Sequence, residues 1–158
     1  MNYILTTNNL TKNYKNHCAA DKINIHVKKG EIYGLIGRNG AGKTTILRMI
    51  SGLSNASSGS YSINGKTNAQ LVHERKNVGA LIEAPGLYPN MTAYENLKIK
   101  CIATGKNTPE YINSMLKLVG LEKAKNKKTR EFSLGMRQRL GIALALVGDP
   151  ELIILDEP

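Results

Sequence analysis

The eight residues GRNGAGKT, 37–44, constrain the fold of this chain more than any other stretch. They match G-x-x-x-x-G-K-[ST], and the spacing has a mechanism. Gly40 and Gly42 let the backbone turn its N–H groups inward at the start of a helix, so that loop and helix dipole together form a cradle for phosphate. From the first turn, Lys43 can reach the β and γ phosphates of a nucleotide, and the Thr44 hydroxyl can ligate Mg2+. The motif needs a strand before it and a helix after it. IYGLIG, 32–37, is a nearly continuous apolar run, expected as a strand buried on both faces. KTTILRMISGL, 43–53, repeats Ile46, Leu47 and Ile50 at helical spacing before Gly52.

Around this strand–loop–helix unit, YILTTNNL (3–10), KINIHV (22–27) and GSYSINGK (59–66) alternate apolar with polar residues, as half-exposed antiparallel strands do. A further short strand, VGALIE (78–83), leads into APGLYPNMT (84–92), where Pro85, Gly86 and Pro89 act as breakers. Thr92 is expected to cap a helix through AYENLKIKCIAT, Pro109 to open a second that ends at Gly120, and SLGMRQRLGIALALVGDP to form a third. The order of elements is α/β with helical and β elaborations.

At 158 residues and 41% apolar content, one domain is the default. No apolar run approaches the ~20 residues of a membrane span, and the N-terminus lacks a secretory pattern, so a cytoplasmic location is expected. Cys18 and Cys101 have no partner at metal-ligand spacing, which argues against a zinc site or a redox pair. The net charge of +10 is concentrated in KAKNKKTR, 123–130, read as a solvated basic loop. Charge alone does not choose a partner.

The chain closes with ELIILDEP, 151–158, in which an apolar strand delivers Asp156 and Glu157 to its own end. Beside a phosphate loop this has the form of a Walker B element, with Asp156 in the Mg2+ shell and Glu157 polarising the attacking water.

Phe132 to Arg139, FSLGMRQR, resembles the signature motif of ABC-type ATPases, LSGGQ-x-QR. Ser133 is a plausible N-cap, but Met136 offers no capping-box partner, and Arg137 and Arg139 oppose the helix dipole unless an anion is near. The resemblance implies that this anion is the γ-phosphate held by a second ATP-binding domain, paired head to tail. Leu134 and Met136 depart from the family's Gly and Gln, whereas Ser133 and Gly135 match it.

The resemblance also implies a set of roles. ATP and Mg2+ would be the cofactors. Gly37, Asn39, Gly40, Gly42, Lys43, Thr44, Thr45, Ser133 and Gly135 would contact the nucleotide, and Tyr14, in LTKNYKN, would stack on adenine. Thr44 and Asp156 would hold the metal, with Glu157 and Lys43 catalytic. Glu83 stands where the family has a Gln in the loop that senses Mg2+ and the γ-phosphate and couples to membrane partners; a carboxylate accepts from metal-bound water but cannot donate to phosphate.

With APGLYPNMTAYENL and FSLGMRQRLGIALAL, the chain is most similar to ATP-binding subunits of bacitracin and lantibiotic-type peptide transporters, which work with an integral membrane subunit on the inner face of the membrane. The implied fold is the P-loop NTPase core of the ABC ATPase type with an antiparallel β subdomain and a helical subdomain. The expected division is a single partial domain over 1–158: β subdomain and P-loop core over about 3–83, helical subdomain over about 84–148, Walker B strand over 149–158. The family continues beyond Walker B with a switch histidine, so the chain is read as truncated with the C-terminal part of the core missing. His17, His26 and His73 lie upstream and are read as ordinary surface or strand residues. Alternatives are a ribosome-acting or DNA-repair ABC ATPase, for which only the charge offers nucleic acid as a partner, and a truncated nucleotide-binding module without turnover.

Overall fold

The computed structural model describes residues 2–67 and 70–157. The chain forms two compact units, Met1–Lys76 and Asn77–Pro158.

The first unit is built on a long central strand. β1 (Tyr3–Tyr14) pairs antiparallel with β2 (His17–Ile23) and β3 (His26–Lys28) along one edge, and with β4 (Ser58–Ile63) along the other. It buries Ile4, Leu5, Thr7, Leu10 and Thr11, and its alternation is broken where Asn9 turns left-handed at φ 48° and the pairing with β4 shifts register. KINIHV does not form the single strand expected of it. The Thr7 hydroxyl donates to the Ile23 carbonyl and accepts from the Ile25 amide, both at 2.8 Å, so a side chain replaces a ladder step and the chain breaks into β2 and β3 between them.

The expectation for IYGLIG is overturned more completely. Residues 31–38 lie in no strand, and Ile32 and Ile36 are 99% and 96% exposed. A strand hidden on both faces takes its burial from partners on both edges and helices above and below. In this unit the four strands are committed to the antiparallel sheet, and none of them runs beside 31–38. The helix that follows forms as expected: α1 (Lys43–Ile50) buries Ile46, Met49 and Ile50. A one-turn helix, α2 (Leu71–Glu74), follows β4.

The second unit joins a parallel strand pair to three helices. β5 (Val78–Leu81) and β6 (Leu152–Leu155) run in register from Val78↔Leu152 to Leu81↔Leu155. Above them pack α3 (Ala93–Thr104), α4 (Pro109–Leu118) and α5 (Leu134–Leu146) around a core of Leu97, Cys101, Ile112, Leu116 and Leu140. Gly79 lets α5 lie close on β5, because a Cβ there would stand 1.9 Å from the Ala145 carbonyl oxygen. The helix starts follow their sequence signals. Thr92 and Glu95 make a capping box on α3, Thr108 caps α4 ahead of Pro109, and Ser133 caps α5 by accepting from the Met136 amide. Among the described residues, no helix is long and apolar enough to cross a membrane.

A polar latch closes the α5–β6 turn onto α4. Asp149, at φ 54°, accepts from the Tyr111 hydroxyl at 3.0 Å and from the Lys106 ammonium, while Tyr111 accepts from the Gly148 amide at 3.1 Å. The Lys106 hydrogen bond, then the Tyr111 one, hold the Asp149 carboxyl below its ordinary value. A lowered carboxylate stabilises the fold fully above the unfolded value and loses that contribution as pH falls through the folded one. Thermal unfolding followed by circular dichroism should therefore show the melting temperature falling below about pH 4, and Asp149→Asn should flatten part of that slope.

Candidate functional site

In the first unit the phosphate-loop residues take the backbone the motif requires. Gly40 and Gly42 have φ of 81° and 84°, in the left-handed region. Gly42 also faces β2, where a Cβ would lie 1.9 Å from the Ala19 carbonyl oxygen. Gly37, Asn39 and Gly40 are exposed, and Lys43, Thr44 and Thr45 are half-buried in the first turn of α1. That helix start has no side-chain cap and no acidic residue in its first turn, so no carboxylate of the helix itself offsets its positive end. The Lys43 ammonium donates to the Gly37 carbonyl at 2.8 Å and the Arg38 carbonyl at 3.2 Å. It is thus held over the loop, where phosphate oxygens can compete for the same donors. Glycine cradle, uncapped helix and ammonium fit a polyphosphate.

The same unit carries Tyr14, 45% exposed at the end of β1. β2 relates it to the loop: Cys18 and Ala20, which flank the Ala19 that abuts Gly42, pair with Asn13 and Lys12, and His17 pairs with Tyr14. Tyr14 is therefore about 7 Å along the ladder from the level of the P-loop glycine.

In the second unit the parallel register gathers the acids. Leu81 and Leu155 are partners, and Glu83 and Glu157 each stand two residues beyond them at the C-terminal edge of the strand pair, where α/β folds place ligands. Both glutamates are left-handed, at φ 62° and 48°, an uncommon and mildly strained backbone for a side chain of this kind. Asp156 is buried, its amide bonded to the Leu81 carbonyl at 2.9 Å, whereas Glu83 and Glu157 are exposed. Asp156 is thus fixed by the sheet, and Glu157 projects from it.

Ser133 and Gly135 are exposed at the start of α5, and Leu134 is 76% exposed. The branched Leu134 is accommodated by pointing to solvent, and the helix start stays regular. The two arginines do not wait for an anion. Arg137 donates to the Phe132 carbonyl at 3.2 Å, and Arg139 to the Val119 and Gly120 carbonyls at 3.2 Å, where it satisfies the electronegative end of α4.

Among the described residues no group of three His, Cys, Asp or Glu side chains could hold a metal. Thr44 and Asp156, one in each unit, instead offer single oxygen ligands. Each is a hard oxygen donor of the kind Mg2+ takes, an ion that keeps several waters and takes further ligands from phosphate.

Sequence reasoning passed over Lys12, whose ammonium lies over the Tyr14 ring, although its i, i+2 spacing on a strand was a usable signal. It also missed Asn96 and Thr129, which pin the loop after Glu83. The buried Asn96 carboxamide accepts from the Tyr88 amide at 2.8 Å, and the Thr129 hydroxyl donates to the Tyr88 carbonyl at 2.8 Å. Nothing local in the sequence marks those contacts.

A family model described as ABC transporter matches residues 20–158. The bacitracin transport ATP-binding protein BcrA of Enterococcus faecalis is 46% identical over 159 residues, spanning 100% of this chain and 52% of its own length. The lantibiotic transport ATP-binding protein SrtF of Streptococcus pyogenes is 39% identical over 155 residues, covering 98% of this chain and 66% of its own. Among solved structures, a dimeric ATP-binding cassette in a post-hydrolysis state bound to ADP and Pi matches with a TM-score of 0.84 at 26% identity, over 98% of this chain and 74% of that one. The chain spans about half the length of the bacitracin relatives it matches.

Proposed function

This chain belongs to the ABC transporter family, and from that premise we propose that it binds ATP and, in the assembled protein, hydrolyses it to drive transport of an antimicrobial peptide. The observation that carries the nucleotide reading is the cradle itself: left-handed Gly40 and Gly42, the uncapped start of α1, and the Lys43 ammonium held over the loop. The names of the bacitracin and lantibiotic relatives support the peptide as substrate class.

In this reading the P-loop amides and Lys43 hold the β and γ phosphates, and Tyr14 stacks on adenine. Thr44 and Asp156 would each offer an oxygen to Mg2+, which when bound would draw charge from the phosphate oxygens. Glu157 would accept the proton of the attacking water, and Glu83, a carboxylate, would serve as a hydrogen-bond acceptor in the same region. Ser133 and Gly135, on an exposed helix start, face the γ-phosphate in a second ATP-binding domain paired head to tail.

An integral membrane subunit is the further partner, with this chain peripheral on the cytoplasmic face. The second unit supports that docking with a groove of about 320 Å3 lined by Leu81, Pro85, Tyr88, Ile99, Lys100 and Leu144, directly beyond the strand that leads to Glu83.

Calorimetric titration of the chain with ATP and Mg2+ tests the nucleotide reading. Saturable binding is expected, with about 2.7 kcal/mol of added stability at a hundredfold excess over Kd, and Lys43→Ala should remove both. Equal binding by wild type and Lys43→Ala would overturn it.

A further inference from the structure

Lys12 stands two residues before Tyr14 on β1, so both side chains leave the strand on the same side. Its ammonium lies over the Tyr14 ring, 5.0 Å from the centroid, within cation–π range. The same ammonium donates to the Asn55 carbonyl at 2.6 Å. Asn55 belongs to the segment that returns the chain from α1 to β4, and that segment is itself stitched to β1. The Ser57 amide donates to the Thr11 carbonyl at 2.8 Å, and the Asn13 amide donates to the Ser57 hydroxyl at 3.0 Å. The cation is therefore held between a fixed carbonyl and an aromatic face. Lys12 is half-buried, while Tyr14 keeps 45% of its surface open.

We propose that Lys12 is a positioning residue for the nucleobase, backing the Tyr14 ring so that its opposite face is presented to adenine. The inference rests on the reading that Tyr14 stacks on the base, and it adds two physical effects. First, a ring at a strand end would otherwise sample several rotamers, and a cation anchored to Asn55 removes most of that freedom before the base arrives. Second, an ammonium behind the ring draws π density toward itself. The front face then repels the electron-rich face of adenine less, which favours an offset stack. Because Asn55 follows α1, the platform for the base is tied to the helix whose other end cradles the phosphates.

The test compares ATP with inorganic tripolyphosphate, which can use the cradle but has no base, each titrated with Mg2+ into wild type, Lys12→Met, Lys12→Arg and Tyr14→Ala. Lys12→Met should weaken ATP about three- to tenfold and leave tripolyphosphate unchanged, with Lys12→Arg restoring most of the loss. If Tyr14→Ala weakens ATP but Lys12→Met does not, the role of Lys12 is refuted and stacking survives. If Tyr14→Ala also leaves ATP binding unchanged, stacking itself is refuted. An equal loss of tripolyphosphate in Lys12→Met would show that the lysine serves the fold or the phosphates, and would equally overturn the proposal.

Discussion

Gly42→Ala should abolish nucleotide binding, with an affinity loss of at least about a hundredfold, while Gly40→Ala should cost only about tenfold. The two glycines share nearly the same left-handed backbone, at φ 84° and 81°, so each alanine carries a similar conformational penalty of about 1–2 kcal/mol. Their surroundings separate them. A Cβ on Gly40 meets nothing within 4 Å, whereas one on Gly42 stands 1.9 Å from the Ala19 carbonyl oxygen and 3.1 Å from its carbon. Those are backbone atoms of β2, which is paired to β1, and they cannot swing aside as a side chain would. The start of α1 must move instead, and with it the amides that hold phosphate. Tripolyphosphate titration of both variants measures the difference; similar affinities would mean that the cradle does not depend on the α1–β2 contact.

Glu157→Gln carries the second large effect, expected in ATP turnover by the assembled transporter. The substitution keeps shape and removes the basic oxygen, so turnover should fall by about 10² to 10⁴-fold while ATP affinity is kept. The geometry separates Glu157 from its neighbour. Asp156 is buried and its amide is bonded to the Leu81 carbonyl, a fixed position suited to a metal shell, while Glu157 is exposed beyond the strand end. Steady-state phosphate release from membranes carrying the transporter decides the matter. Unchanged turnover would place water activation on another group.

What could be read in the sequence was what short-range chemistry dictates. Thr92 and Ser133 announce helix starts because a cap is satisfied within three residues, and Pro109 because its fixed φ and missing N–H suit the first helical position; all three stand where they were expected. LIIL forms a strand and delivers Asp156 and Glu157 to its end. What failed depends on distant partners. HCAAD at the head of β2 has little strand character of its own and is a strand because β1 pairs with it. KINIHV alternates correctly but is interrupted by a hydroxyl that lies sixteen residues away, on Thr7.

IYGLIG shows the same limit in reverse, since apolar residues announce burial without supplying the neighbours that provide it. The two arginines of the signature were legible only as a conflict with the helix dipole. Their resolution lay in the end of another helix and in the carbonyl just before the cap. Of the candidate site, the register of β5 and β6 brings the segments that carry Glu83 and Asp156–Glu157 to the same edge of the strand pair, a relation that no spacing along the chain reveals.

The exposed stretch that leads into the P-loop also bears on how copies of the protein would meet in concentrated solution. From Ile32 to Gly37 there are six residues with no charge and no proline, and the two isoleucines are almost wholly open to water. An uncharged, proline-free apolar run favours pairing with its own copies, a tendency that Gly34 and Gly37 weaken. Glu31 and Arg38 bracket it like gatekeepers, yet they are of opposite sign. Two copies aligned parallel would set like charges against each other and separate. Two copies aligned antiparallel would set Glu31 against Arg38 at both ends, so the flanking charges would select the orientation of self-association rather than prevent it.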